Sequence, residues 1–209
     1  RNDGQGFNMK RIAIFASGSG TNLENLLTKI RDKELKAIAA LVFSDKPGAP
    51  CLERARKFDV PVVSFPPKAF YDKHAFESRV IETVEQYEVD YILLAGYMRI
   101  IMPRFIKRFP WRIINIHPSL LPAFKGAHGI KDAFKARSEK TGVTVHFVTE
   151  DVDAGPIILQ EEVPIHPGDT LETLEARVHE TEYRVYPEAV KLVLEGKVTV
   201  ENGMVKVNP

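Results

Sequence analysis

An open, mostly parallel α/β sheet with helices on both faces and an antiparallel edge in the C-terminal half is the fold this sequence predicts. Three observations predict it. Short apolar β-former runs alternate with helix-period segments; several runs are apolar at every position, as strands buried on both faces require; and the first run opens into a glycine-rich turn and a helix.

In order along the chain, residues 11–16 read as a strand, residues 17–22 as a glycine loop, and Leu23, Leu26, Leu27 and Ile30 as the buried stripe of a helix. Residues 37–43 make a second strand, which Ser44, Asp45, Pro47, Gly48 and Pro50 end before a helix over 52–58. A strand over 60–65, a helix over 74–87 and a strand over 91–95 continue the alternation. Pro103 opens a short helix, residues 111–117 form a strand, a Pro-, Gly- and Lys-rich loop covers 121–129, and a helix covers 130–137. Two extended runs, 143–148 and 157–165, flank an acidic turn and should pair antiparallel. Asp169 with Glu172 resembles a capping box for a long helix bearing Leu171, Leu174 and Val178. Asn202-Gly203 between residues 198–201 and 204–207 signals a tight hairpin. Residues 1–8 are polar and read as an added or disordered leader before a natural start at Met9, leaving residues 9–209 as a single domain.

Composition excludes several functions. The 209 residues are 44% hydrophobic and 27% charged, which is globular rather than disordered or coiled-coil. A net charge of +1 gives no global attraction to nucleic acid or an anionic membrane, so any anion must be caught locally. No apolar run is long enough to span a bilayer. The single cysteine, Cys51, cannot form an internal disulfide, which suits a reducing, cytoplasmic setting.

Chemistry concentrates in three places. The loop Ser17-Gly18-Ser19-Gly20-Thr21-Asn22 lets backbone amides approach an anion at a helix start. Counting from Gly18, the sixth position is Leu23, so a dinucleotide fingerprint fails, and no Gly-Lys-Ser/Thr triplet marks a triphosphate loop. A compact phosphomonoester fits; a turn that merely needs glycine is the alternative. On a strand, Asn115 and His117 project to one side and Ile114 and Ile116 to the other, so an amide and an imidazole converge where a carbonyl oxygen could gain charge. The alternative is a hydrogen-bonded strand end before Pro118. Asp153, in an acidic turn, would stabilise a charged imidazole if the fold brought it to His117, and is otherwise a solvated acid. His128 could help close a site, whereas His146 reads as core or sheet surface. His, Cys, Asp and Glu show no metal-ligand spacing, and no serine-nucleophile elbow occurs.

The glycine loop in residues 12–22, NIHPSLLP over 115–122 and DVDAGPI over 151–157 together resemble the phosphoribosylglycinamide formyltransferases, a branch of the folate-dependent formyltransferase family. The resemblance runs from about residue 9 to residue 196. It implies formyl transfer from 10-formyltetrahydrofolate to the amine of glycinamide ribonucleotide in purine synthesis, by direct attack, without metal, NAD or ATP. It places the ribonucleotide on Gly20, Thr21, Asn22 and Pro118, with His179, Glu180, Thr181 and Glu182 near the sugar, in a scheme where the N-terminal half binds phosphate. The C-terminal half would bind folate and carry catalysis, with Met98, Arg99, Ile100 and Ile101 forming one wall. Val148, Thr149, Glu150, Asp151, Val152 and Asp153 form the other wall, beside Asn115. Asn115, His117 and Asp153 match the catalytic positions. Lys73 stands where some members carry a folate-contacting arginine, keeping charge without a bidentate fork. The expected partners are the two small molecules, with no nucleic acid or membrane, and the expected state is monomer or homodimer. A formylfolate hydrolase, a formyltransferase for another amine, and a nucleotide-binding module without chemistry are the rival functions.

Overall fold

The computed structural model describes residues 9–208; the leader expected over residues 1–8 lies outside them. Strands β1 (Lys10–Phe15), β2 (Ala37–Ser44), β3 (Val62–Ser64), β4 (Tyr91–Leu94), β5 (Ile113–His117), β6 (Lys140–Phe147) and β7 (Ile157–Pro164) form one sheet. Its spatial order is β3-β2-β1-β4-β5-β6-β7. The first five are joined by parallel pairings, while β6 runs antiparallel to both β5 and β7.

The alternation of side chains on β1 explains why the sheet needs cover on both faces. Ile12 and Ile14 enter one core with α1 (Thr21–Arg31), α2 (Pro50–Arg56), α5 (Gly129–Lys135) and α6 (Leu171–Leu194). Ala13 and Phe15 enter the other, with α3 (Lys73–Gln86) and α4 (Pro103–Arg108). The second core is aromatic: Phe15 packs edge-on against Tyr97 and Phe105 and tilted against Phe43. A separate hairpin, β8 (Val198–Glu201) with β9 (Met204–Val207), turns on Asn202 and Gly203, both at positive φ, as a tight hairpin turn demands.

Three local expectations change. The long helix is capped by Thr170, whose side chain accepts from the Thr173 amide while the Thr173 hydroxyl accepts from the Thr170 amide. Asp169 instead grips Arg177 through both oxygens, because a carboxylate and a guanidinium match as parallel forks. The strand expected from residue 111 begins at Ile113, since Trp111 takes a left-handed φ of 55° and turns its ring against Phe147. The strand expected over 60–65 shrinks to three residues at the sheet edge, between Pro61 and Pro66, which lack the amides a ladder needs.

One side chain ties the long helix to the middle of the sheet. Tyr186 is fully buried, and its hydroxyl lies 2.9 Å from the Leu94 carbonyl, at the end of β4, and 3.2 Å from that of Ile114 on β5. Burial pushes this phenol well above its ordinary pKa, so it remains a donor. Tyr186→Phe keeps the volume and removes the bond; it should cost about 1–3 kcal/mol and lower the melting temperature by several degrees. Calorimetry would check it.

Candidate active site

Winding reverses between β1 and β4: the chain proceeds from β1 outward to β3, then returns to β4 on the other side. Loops leaving the carboxyl ends of these adjacent strands diverge, and the crevice between them is where open α/β sheets hold ligands. Here it is a cavity of about 710 Å³.

At one pole lies the glycine loop. Gly20 has φ 78° and stands at the start of α1, where no side chain caps the helix, so first-turn amides are available to an anion. A Cβ built on Gly20 would come within 2.5 Å of the Cys51 Cβ, so backbone conformation and packing both require glycine. Thr21 and Asn22 follow into the cavity. The Asn22 amide nitrogen donates to Glu182 Oε2 at 3.1 Å, while its buried Oδ1 has no protein partner. His179 Nδ1 donates to the same Glu182 oxygen at 2.8 Å, and this bond raises the imidazole above its ordinary pKa. Both residues line the pocket, one helical turn apart on α6.

In the middle, the fold joins Asn115, His117 and Asp153. His117, at the end of β5, is 5% exposed; its Nε2 donates to the Phe124 carbonyl at 2.8 Å and its Nδ1 lies 3.5 Å from Asp153 Oδ2. That same oxygen accepts from the Gly126 amide at 2.9 Å, so Asp153 also restrains the loop over Phe124. Asp153 has a left-handed φ of 50°, and two residues on, a Cβ at Gly155 would meet the Phe147 carbonyl at 1.7 Å. The acidic turn can make this approach only with glycine there.

His146 is the residue that sequence reasoning missed. Antiparallel pairing sets it opposite Asn115, and its ring joins the cluster: Nδ1 donates to the Phe147 carbonyl at 2.9 Å, and Nε2 accepts from the Asn115 amide at 3.3 Å. Burial depresses its pKa, in keeping with this neutral tautomer. One amide hydrogen of Asn115 is thereby engaged and the other is left for a ligand. The signal was a polar residue between Val145 and Phe147, in the alternation that Asn115 and His117 show; it becomes legible only once β5 and β6 are paired. Lys46, absent from the expected set, lines the cavity as well, as does Ser17 at the start of the glycine loop.

The other pole is apolar and open. Met98 and Ile100 are 65% and 64% exposed, Val152 50%, and they face the cavity with Arg99, Ile101, Val148, Thr149, Glu150 and Asp151. Pro118 lines the cavity too. Of the expected residues, Lys73 lies instead in a small separate crevice with Glu77, Tyr97 and Arg99. Glu180 is exposed, and buried Thr181 donates its hydroxyl to the Arg177 carbonyl; neither lines the pocket. His128 is exposed at the start of α5. Among the described residues, no three His, Cys, Asp or Glu are grouped to hold a metal, and no helix is long and apolar enough to cross a membrane.

A switch-point crevice with an anion-sized turn at one end and an amide, an imidazole and a carboxylate at its centre defines an α/β group-transfer enzyme. Comparison makes this specific. The formyl transferase family model matches residues 10–190. The phosphoribosylglycinamide formyltransferase of Bacillus subtilis is 46% identical over 89% of this chain and 95% of its own length. The trifunctional purine biosynthetic protein adenosine-3 of Gallus gallus is 44% identical over 92% of this chain, which spans 19% of that longer protein. The crystal structure of glycinamide ribonucleotide transformylase 1 from Symbiobacterium toebii superposes with a TM-score of 0.94 at 43% identity, covering 98% of this chain and 96% of that one. The chain belongs to the formyl transferase family, in its phosphoribosylglycinamide formyltransferase branch.

The His179–Glu182 pair has a pH signature. Because the folded imidazole is raised above its ordinary 6.5, its stabilisation is complete below that value and is lost as pH rises through the folded pKa. His179→Ala should therefore lower the melting temperature more at about pH 6 than at about pH 9, as thermal melts at the two pH values would show.

Proposed function

We propose that this chain transfers the formyl group of 10-formyltetrahydrofolate to the amine of glycinamide ribonucleotide, a step of purine biosynthesis. One observation carries the reading: Asn115, His117 and Asp153, far apart in sequence, meet between an anion-suited glycine turn and an apolar wall. The ribonucleotide phosphate sits on Gly20, Thr21 and Asn22, whose unpartnered Oδ1 accepts from a ligand hydroxyl or amine, and Glu182 faces the sugar. The folate ring lies against Met98, Ile100 and Val152. Pole thus answers to substrate, more than one half of the chain to phosphate and the other to folate.

The chemistry needs no covalent enzyme intermediate. The amine attacks the formyl carbon, and a tetrahedral species forms with negative oxygen and positive nitrogen. The free amide hydrogen of Asn115 bonds that oxygen, and the His117 ring, whose own N–H groups point at protein acceptors, stabilises it by charge. Both His117 nitrogens face acceptors, an arrangement the doubly protonated ring satisfies. Asp153 balances that charge and, through water, moves a proton from the attacking nitrogen to the departing folate nitrogen. His146 holds the amide of Asn115 in place. The reaction has two small-molecule partners and uses no metal, NAD or ATP; the protein works in the cytoplasm as a monomer or homodimer.

His117→Ala should lower kcat by about 10²–10⁴ with little change in ribonucleotide affinity. Near-normal turnover in a formyl-transfer assay would remove His117 from the mechanism. Asn22→Leu should chiefly weaken ribonucleotide binding; a selective loss of folate affinity by calorimetry would reverse the two subsites. A folded sample that binds both compounds without turnover would leave only a binding module.

A further inference from the structure

Two buried carboxylates lie near the cavity without belonging to the reaction described above. Both hold the segment between β4 and α4 that forms the apolar wall. Glu77, on α3, accepts from the Met102 amide at 2.7 Å, at the segment's far end. Asp45, after β2, is 5% exposed and accepts from the Ser17 hydroxyl at 2.6 Å.

Ser17 is the unusual member. It is 3% exposed and is the first residue of the glycine loop, yet it binds the opposite loop twice. Its amide donates to the Gly96 carbonyl at 3.0 Å, and its hydroxyl accepts from the Met98 amide at 2.9 Å. With its proton given to Asp45, the hydroxyl has a single orientation and cannot swing away without stranding a buried carboxylate. The second Asp45 oxygen lies 4.0 Å from Arg99 Nη1, and the Arg99 guanidinium sits 5.5 Å from the Phe76 ring centroid. A shift of Ser17 is therefore passed to Met98 and Arg99, residues of the other pole.

We propose that the Ser17–Asp45 pair is a positioning device that couples the two subsites, so that a ribonucleotide phosphate on the glycine loop tightens binding at the Met98–Ile101 wall. A phosphate on the loop that Ser17 begins reinforces the hold that Ser17 and Asp45 keep on the Met98 amide and on Arg99. The second ligand then meets a wall already in place and loses less freedom on binding. The inference rests on the subsite assignment proposed above. Glu77 supplies the contrast, since it holds the same segment without touching the glycine loop.

The test uses tetrahydrofolate, which carries no formyl group, so that both ligands can be bound without turnover. Its dissociation constant is measured calorimetrically with and without saturating glycinamide ribonucleotide. The wild type should bind about fivefold tighter or more in the presence of ribonucleotide. Ser17→Ala and Asp45→Asn should bring that ratio close to one, whereas Glu77→Gln should weaken tetrahydrofolate in both conditions and keep the ratio. An uncoupled wild type overturns the proposal, and so do variants that retain the ratio or a Glu77→Gln that loses it equally. Should either variant fail to fold, the other and the wild-type ratio still decide. Asn22→Leu separates the two readings: if it weakens folate selectively, the subsite assignment is wrong; if it weakens ribonucleotide beside an uncoupled wild type, only the coupling is wrong.

Discussion

The reversal of winding between β1 and β4 is the constraint on which the rest of the structure depends. Parallel strands need crossover connections, and connections that depart in opposite directions leave the space above two neighbouring strands uncovered. That gap opens between the glycine loop after β1 and the apolar segment after β4, and β5 delivers Asn115 and His117 to its floor. The sheet can leave it open because the two cores on its faces do not need it: the aliphatic core under α1 and α6 and the aromatic core under α3 and α4 close below it. Tyr186 anchors α6 to β4 and β5 at this same place, so the floor is braced from beneath.

Asp153 gives the centre its polarity. It lies 3.5 Å from His117 and 3.8 Å from His146, so two imidazoles share one carboxylate. They do so unequally. His146 gives its Nδ1 proton to a backbone carbonyl and takes a hydrogen bond from Asn115 at the other nitrogen, a neutral ring that burial favours. His117 meets acceptors on both sides. One histidine thus holds an amide while the other sits between a carbonyl and a carboxylate, a division made by neighbouring groups rather than by residue type.

Much of this was legible along the chain. Continuous apolar runs identified the buried parallel strands, and the antiparallel pair after residue 140 followed from the acidic turn between two extended segments. The alternation that puts Asn115 and His117 on one side needs only local geometry, so it could be read directly. His146 could not, because its meaning comes from a strand partner 31 residues away in the sequence. Asp45 was hidden for a related reason: in a run of turn-formers it looks like another solvated turn acid, and only the crossing of two loops buries it. Expectations also failed where two local rules competed, as at Asp169, where pairing with Arg177 displaced capping.

The greasy pole has a thermodynamic corollary. Met98, Ile100 and Val152 are exposed, so an apolar ring settling on this pole removes their surface from water. Such dewetting carries a negative heat-capacity change. Heat released on occupancy of this pole should then grow steadily with temperature, while occupancy of the glycine turn by an anion, governed by charge and hydrogen bonds, should vary far less.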